Sequence, residues 1–225
     1  LAVLTPKVLL VPYSVHHVPI YHEWMKDEDL QKATASEPLT LTEEYEMQKS
    51  WREDADKLTF IVCKAPESRN FNLIPGREDG PEAMTGDVNL FLSYDEDDHH
   101  GEAQPVPEKE RRSIIGEVEI MIACKDYQGQ GLGKNILLLF FWYIFSSLTE
   151  IAEQYHPGSY VSYLRVKIGA ENVRSIKLFE SVGFTKVSET PNYFRELELR
   201  WPVTEGRIRE IENELGTIPL IVEYK

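Results

Sequence analysis

Positive charge is in short supply: 24 lysines and arginines face 38 aspartates and glutamates, a formal net charge of −14. Nucleic acid and anionic membranes need clustered lysines and arginines, so both are set aside as partners, and the balance favours a cationic or amine-bearing substrate. Cysteine is scarcer still. Cys63 and Cys124 lie in or beside apolar strand-like runs, with no Cys-x-x-Cys pair and no secretory leader. They read as free thiols in a reducing, cytoplasmic compartment. Metal-ligand spacing is also missing, and His99-His100 falls in an acidic loop that reads as solvated. The apolar run 136–145 has ten members, where a membrane span needs roughly 20. It reads as a helix buried against a sheet. No internal repeat is visible.

What is there begins with 225 residues, 42% of them hydrophobic, enough for one good core. The most informative stretch is Asp126-Tyr127-Gln128-Gly129-Gln130-Gly131-Leu132-Gly133-Lys134. It follows an apolar strand-like run, 114–123, and opens a long helical run. Alternating glycines leave backbone N–H groups unobstructed, and a helix start adds unpaired donors and the positive end of its dipole. The expected guest is a phosphate or pyrophosphate. A P-loop would need glycine where Gln128 stands and a hydroxyl where Asn135 stands; a dinucleotide fingerprint would need glycine at Lys134 or Ile136.

The remaining pattern, Gln-x-x-Gly-x-Gly, resembles the acetyl-coenzyme A loop of the GNAT superfamily of N-acetyltransferases. A second stretch, Asn172-Val173-Arg174-Ser175-Ile176-Lys177-Leu178-Phe179-Glu180-Ser181-Val182-Gly183-Phe184, is similar to the other signature of that superfamily. Its Ile176, Phe179 and Val182 fall on one helical face, and Asn172 and Ser175 stand at the helix start, where a side chain either caps or reaches a ligand. Val11-Pro12-Tyr13, His22-Glu23-Trp24-Met25, Thr34-Ala35-Ser36-Glu37-Pro38-Leu39-Thr40 and Gly86-Asp87-Val88-Asn89-Leu90-Phe91-Leu92 resemble the N-acetyltransferase 9-like branch. The likeness runs from about Leu9 to Glu198.

The resemblance implies an α/β fold: a mixed sheet of about seven strands, splayed at the acetyl-CoA site, with about four helices. The chain divides as 1–201, the acetyltransferase domain with exposed loops near 66–83 and 95–112, and 202–225, an extension packed on or beside it. Strands are expected at 7–13, 58–64, 85–93, 114–123 and 159–168, with a final hairpin over 183–201 turning at Pro191-Asn192. Helices are expected at 18–26, at 42–53 capped by Thr42, at 132–153, from Asn172, and at 205–215; 218–224 would add an edge strand.

The same resemblance places the cofactor against Met121, Ile122, Ala123, Gln128, Gly129, Gln130, Gly131, Leu132, Gly133, Lys134, Asn172, Ser175 and Phe179. Tyr21, Ser36, Glu37 and Tyr193 become the acceptor-side candidates. Acetyl transfer needs a neutral amine, and an N-terminal amine has a pKa of about 7.7–8.0 against about 10.4 for lysine, so a modest base suffices. Glu117 and Glu119, two apart on a strand, share a face; comparison with different GNAT enzymes points to one or the other, with Glu119 slightly preferred. Phe179 departs from the family, which commonly has a tyrosine acid there. Three readings follow: transfer of acetyl from acetyl-CoA to a protein N-terminus, with tubulin chains implied by the resemblance; acetylation of a small polyamine-like amine; and a weakly catalytic acetyl-CoA-binding module that interacts with microtubules.

Overall fold

The structure, a computed structural model, describes residues 1–66, 73–95, 112–204 and 206–224. His99-His100, most of the loop 95–112 and part of the loop 66–83 lie outside them. Every residue of β2 (Val8–Pro12) is buried, as expected of a strand covered on both faces. It pairs antiparallel with β1 (Ala2–Leu4) and β3 (Lys57–Lys64). The antiparallel run continues through β4 (Met84–Tyr94) and β5 (Ser113–Ile122), after which β6 (Tyr160–Gly169) joins β5 in parallel. β7 (Thr185–Lys186) and β8 (Glu196–Pro202) form the last hairpin, with β8 also antiparallel to β6. At the far edge β9 (Leu220–Val222) pairs with β1. The order is β7-β8-β6-β5-β4-β3-β2-β1-β9.

Period-two alternation sorts the strand side chains into two cores. Leu9, Val11, Ile61, Cys63 and Met121 face the helices α1 (Val18–Trp24), α2 (Glu28–Ala33) and α3 (Leu41–Glu53). Val8, Leu10, Val62, Val88 and Val118 face the larger core, beneath α4 (Leu132–Ser146), α5 (Leu148–Tyr155), α6 (Val173–Glu180) and α7 (Arg207–Leu215). Among the described residues that makes nine strands and seven α-helices, against an expectation of about seven and about four.

The differences have local causes. The single helix expected over 132–153 is two, bent by 72° at the break. The polar pair Ser146-Ser147 follows the apolar run, and the Ser147 N–H turns back to Tyr143 and Ile144. No single described helix is long and apolar enough to cross a membrane. The cap of α3 is Thr40 rather than Thr42: its hydroxyl accepts from the Glu43 N–H at 3.3 Å, and the Glu43 carboxylate accepts from the Thr40 N–H at 2.7 Å. α2 buries none of its side chains, so it carries no apolar period; Asp27 caps it. β1 and β9 are three residues each, too short for alternation to register.

Residues beyond Trp201 are tied in at several points. Trp142 donates to Glu212 at 3.0 Å, Lys134 pairs with Glu214 at 2.8 Å, and the Tyr224 hydroxyl donates to Asp79.

Candidate active site

β5 and β6 are paired from Ser113 opposite Tyr160 to Glu117 opposite Arg165, and there the ladder stops. β5 runs on to Ile122 paired only with β4, while β6 continues to Gly169 paired only with β8. The sheet is therefore split alongside Val118 to Ile122, with the β5 backbone on that side free to accept an extended guest.

A turn carries the chain from β5 into α4. Gly129 and Gly131 have φ of +75° and +76°, and a Cβ added to either would meet nothing within 4 Å. Their conformation demands glycine, and their outer surface is open. Gly131 caps α4 without a side-chain hydrogen bond, so the first-turn N–H groups have no side-chain acceptor. Gln128 donates to the Ile122 carbonyl at 2.8 Å, and Arg174 donates to Gln128 at 3.3 Å, which braces the loop from both sides. Gly133 is needed for closeness: its added Cβ would stand 3.0 Å from Leu178. Split strand, open cradle and uncapped helix start fit a long cofactor with a pyrophosphate near its middle.

The two glutamates are not equivalent. Arg165 donates to Glu117 at 2.7 Å and Lys167 lies 3.4 Å away. Glu119, past the last β5–β6 pair, has no hydrogen-bond or ion-pair partner among the described residues. It is solvent-exposed at the split, yet protein crowds its carboxyl. That partial burial, then the charges of Asp87 and Glu117, pushes it up to about 7. Opposite Glu119 on β4 stands Asn89, and opposite Met121 stands Asp87. Asp87 is 2% exposed and accepts hydrogen bonds from Tyr21 and Asn89, both at 3.1 Å. Burial pushes Asp87 up to about 6, although those hydrogen bonds favour its charged form.

Among the sequence candidates, Tyr21 thus joins the Glu119 cluster from α1, its ring against Tyr13 and Trp24. Met121 and Ala123 are buried, and Ile122 is half-buried beside the split. Gln130, Leu132 and Lys134 flank the cradle glycines, with Gln130 bonded to the Asp126 carbonyl. Asn172 caps α6 by accepting from the Ser175 N–H at 3.1 Å. Phe179 is 2% exposed and packs edge-to-face on Phe184, inside the core. Ser36 bonds to Thr34 at 2.8 Å and Glu37 is exposed, with no contact joining either to Tyr21. Tyr193 is 94% exposed at the hairpin turn, against Phe194. Asp87 and Asn89 were missed as site residues. Two polar residues spaced by two in an apolar strand were the available signal.

A third cluster, His16, His17 and Asp79, has ligand-type atoms within 4.8 Å of one another. His17 Nδ1 accepts from the Ser14 N–H at 3.0 Å, so its proton is on Nε2, which donates to Asp79 at 2.8 Å. His16 and Tyr224 bond to the same carboxylate oxygen, and Gly76 N–H to the other at 2.6 Å. The cluster is a hydrogen-bonded latch between the first helices, the loop before β4 and the tail.

A family model described as an acetyltransferase (GNAT) domain matches residues 7–185. The chain is 43% identical over 199 residues to Alpha/beta-tubulin-N-acetyltransferase 9 of Mus musculus, an alignment covering 88% of this chain and 70% of that one. Against the Homo sapiens protein of the same name it is 41% identical over 204 residues, covering 90% and 84%. Among solved structures, spermidine N-acetyltransferase from Vibrio cholerae, in complex with CoA and spermine, shares the fold: the TM-score is 0.60 at 15% identity, over 91% of this chain and 99% of that one. The chain belongs to the GNAT acetyltransferase family, in its N-acetyltransferase 9-like branch, and is an acetyl-CoA-dependent acyltransferase.

Proposed function

We propose that the acceptor is the α-amine of a protein N-terminus, with tubulin chains as the substrates that the relatives' names suggest. The observation that carries this reading is Glu119, an unpaired carboxylate at the split whose pKa of about 7 suits it to take a proton from an amine of pKa about 7.7–8.0. Lysine, at about 10.4, would ask far more of the same base.

When bound, acetyl-CoA supplies a thioester carbon open to an amine and a thiol that departs. The chain's own part is to hold, orient and take up a proton. The N–H groups from Gly129 through Lys134 would hold the pyrophosphate, and the free edge of β5 at Met121, Ile122 and Ala123 would line the arm beyond it. Glu119 accepts the amine proton, so turnover rises as pH passes through about 7. Phe179 has no proton to give, and it is buried against Phe184. Tyr21 donates its buried hydroxyl to Asp87. We further propose a cytoplasmic location, in keeping with the unpaired thiols of Cys63 and Cys124.

A second reading, a polyamine-like acceptor, is favoured by the net charge of −14 and by the two carboxylates Asp87 and Glu119, one diagonal step apart beside the split. Thiol release by purified protein separates the two. Peptides with tubulin N-termini should turn over, while N-terminally blocked lysine peptides and spermidine should not. Turnover on spermidine alone would replace the first reading with the second.

A further inference from the structure

Asp87 is hard to explain as structure. It sits in the middle of β4, 2% exposed, with no cation in ion-pair reach among the described residues. A buried carboxylate without a counter-charge costs several kcal/mol against a neutral residue of the same shape. Two neutral donors, Tyr21 from α1 and Asn89 from β4 itself, converge on its Oδ2. The register puts Asp87 opposite Met121 and one diagonal step from Glu119, a spacing of roughly 7–8 Å between Cα positions on the same sheet face.

We propose that Asp87 is a positioning residue for acetyl transfer, acting through Glu119 across the β4–β5 ladder and through Tyr21, which it pins under α1. The inference rests on Glu119 being the base. An ionised Asp87 makes Glu119 a better proton acceptor than its exposure alone would, and it does so above about pH 6, where Asp87 carries its charge. The other groups around this pair are Tyr13 at the end of β2, Glu44 on α3 with His22 of α1 at 3.8 Å, and Glu117 on β5, ion-paired with Arg165 and Lys167 of β6. Arg165 and Lys167 are taken up by Glu117, and His22 stands against Glu44, so none of them forms an ion pair with Asp87 itself.

The test reads the carboxyl midpoints directly, by carbon-13 NMR titration of labelled aspartate and glutamate side chains, beside the pH profile of kcat/KM. Asp87→Asn should lower the Glu119 midpoint by about one pH unit, as a unit charge at this distance does through a partly solvated medium. The acid limb of kcat/KM should move down with it, while KM for acetyl-CoA stays within about twofold. Glu119→Gln, at an exposed position that folding tolerates, should lower the Asp87 midpoint in return, because the coupling is mutual. Midpoints that stay put in both variants overturn the proposal. So does a Glu119 midpoint that moves while the acid limb does not. Wild-type protein inactive on every amine would sink the N-terminal reading instead, and the midpoints, which need no acceptor, would still decide the coupling.

Discussion

Arg165 donates to Glu117 at 2.7 Å on the last rung where β5 and β6 are paired. That ion pair separates two carboxylates that share a strand face. Glu117 is ion-paired where the sheet is closed, and Glu119 is left with a raised pKa where it opens.

Glu119→Gln should therefore lower kcat/KM by about 10²–10⁴-fold, the usual loss for a general base. Glu117→Gln should cost less than about tenfold, with a stability loss of about 0–1 kcal/mol for a half-exposed ion pair. In the wild type the acid limb should fall near pH 7, since Glu119 acts only when ionised. Steady-state rates between pH 5.5 and 9 check both; equal losses in the two variants would contradict the assignment.

At the cradle, Gly131→Glu places a side chain where φ is +76° and adds negative charge to an anion site. Affinity for acetyl-CoA, read by calorimetry, should drop by at least about tenfold, since one anion–dipole contact of 1–2 kcal/mol is lost and repulsion is gained. Gly131→Ala, which adds only the backbone strain of about 1 kcal/mol, should weaken binding far less. Undiminished affinity in Gly131→Glu would remove the cradle from the cofactor site.

Restoring the family's tyrosine should not restore an acid. Phe179→Tyr adds a hydroxyl to a side chain buried in the core and packed on Phe184. The expected outcome is a stability loss of about 1–3 kcal/mol with kcat unchanged or lower. A rise in kcat would show that this side chain reaches the reacting groups.

Asp79→Asn should open the latch. Burial alone would raise this carboxyl, but the hydrogen bonds from His17, Tyr224 and His16 outweigh it and hold the group below the ordinary range. A depressed carboxylate stabilises above its unfolded pKa of about 3.9 and loses that contribution as pH falls through the folded value. The variant should lose roughly 2–3 kcal/mol at pH 7 and show a shallower fall in Tm below pH 4 than the wild type. Identical Tm against pH curves would contradict the latch.

The parts legible in the sequence were those written locally. The glycine loop, the Asn172 cap and the long apolar strands each carry their signal within a few residues, and the structure has them in place. What stayed hidden depends on register and tertiary cover. Asp87 gains its meaning only from standing one diagonal step from Glu119, and the two are separated in sequence by a loop of many residues. Glu117 and Glu119 look alike until Arg165 arrives from a strand 48 residues away. β1 and β9 depend on their pairing rather than on their own composition, and the break at Ser147 follows the polar pair that interrupts the apolar run.

The most direct measurement uses one peptide that carries a free tubulin-type N-terminus and an internal lysine, incubated with acetyl-CoA and purified protein at pH 7.5. Fragmentation mass spectrometry then locates the acetyl group. Acetyl on the α-amine alone, lost in Glu119→Gln, is the expected result. Acetyl on the lysine, or an α-amine product undiminished in Glu119→Gln, would contradict transfer to an N-terminus with Glu119 as its base.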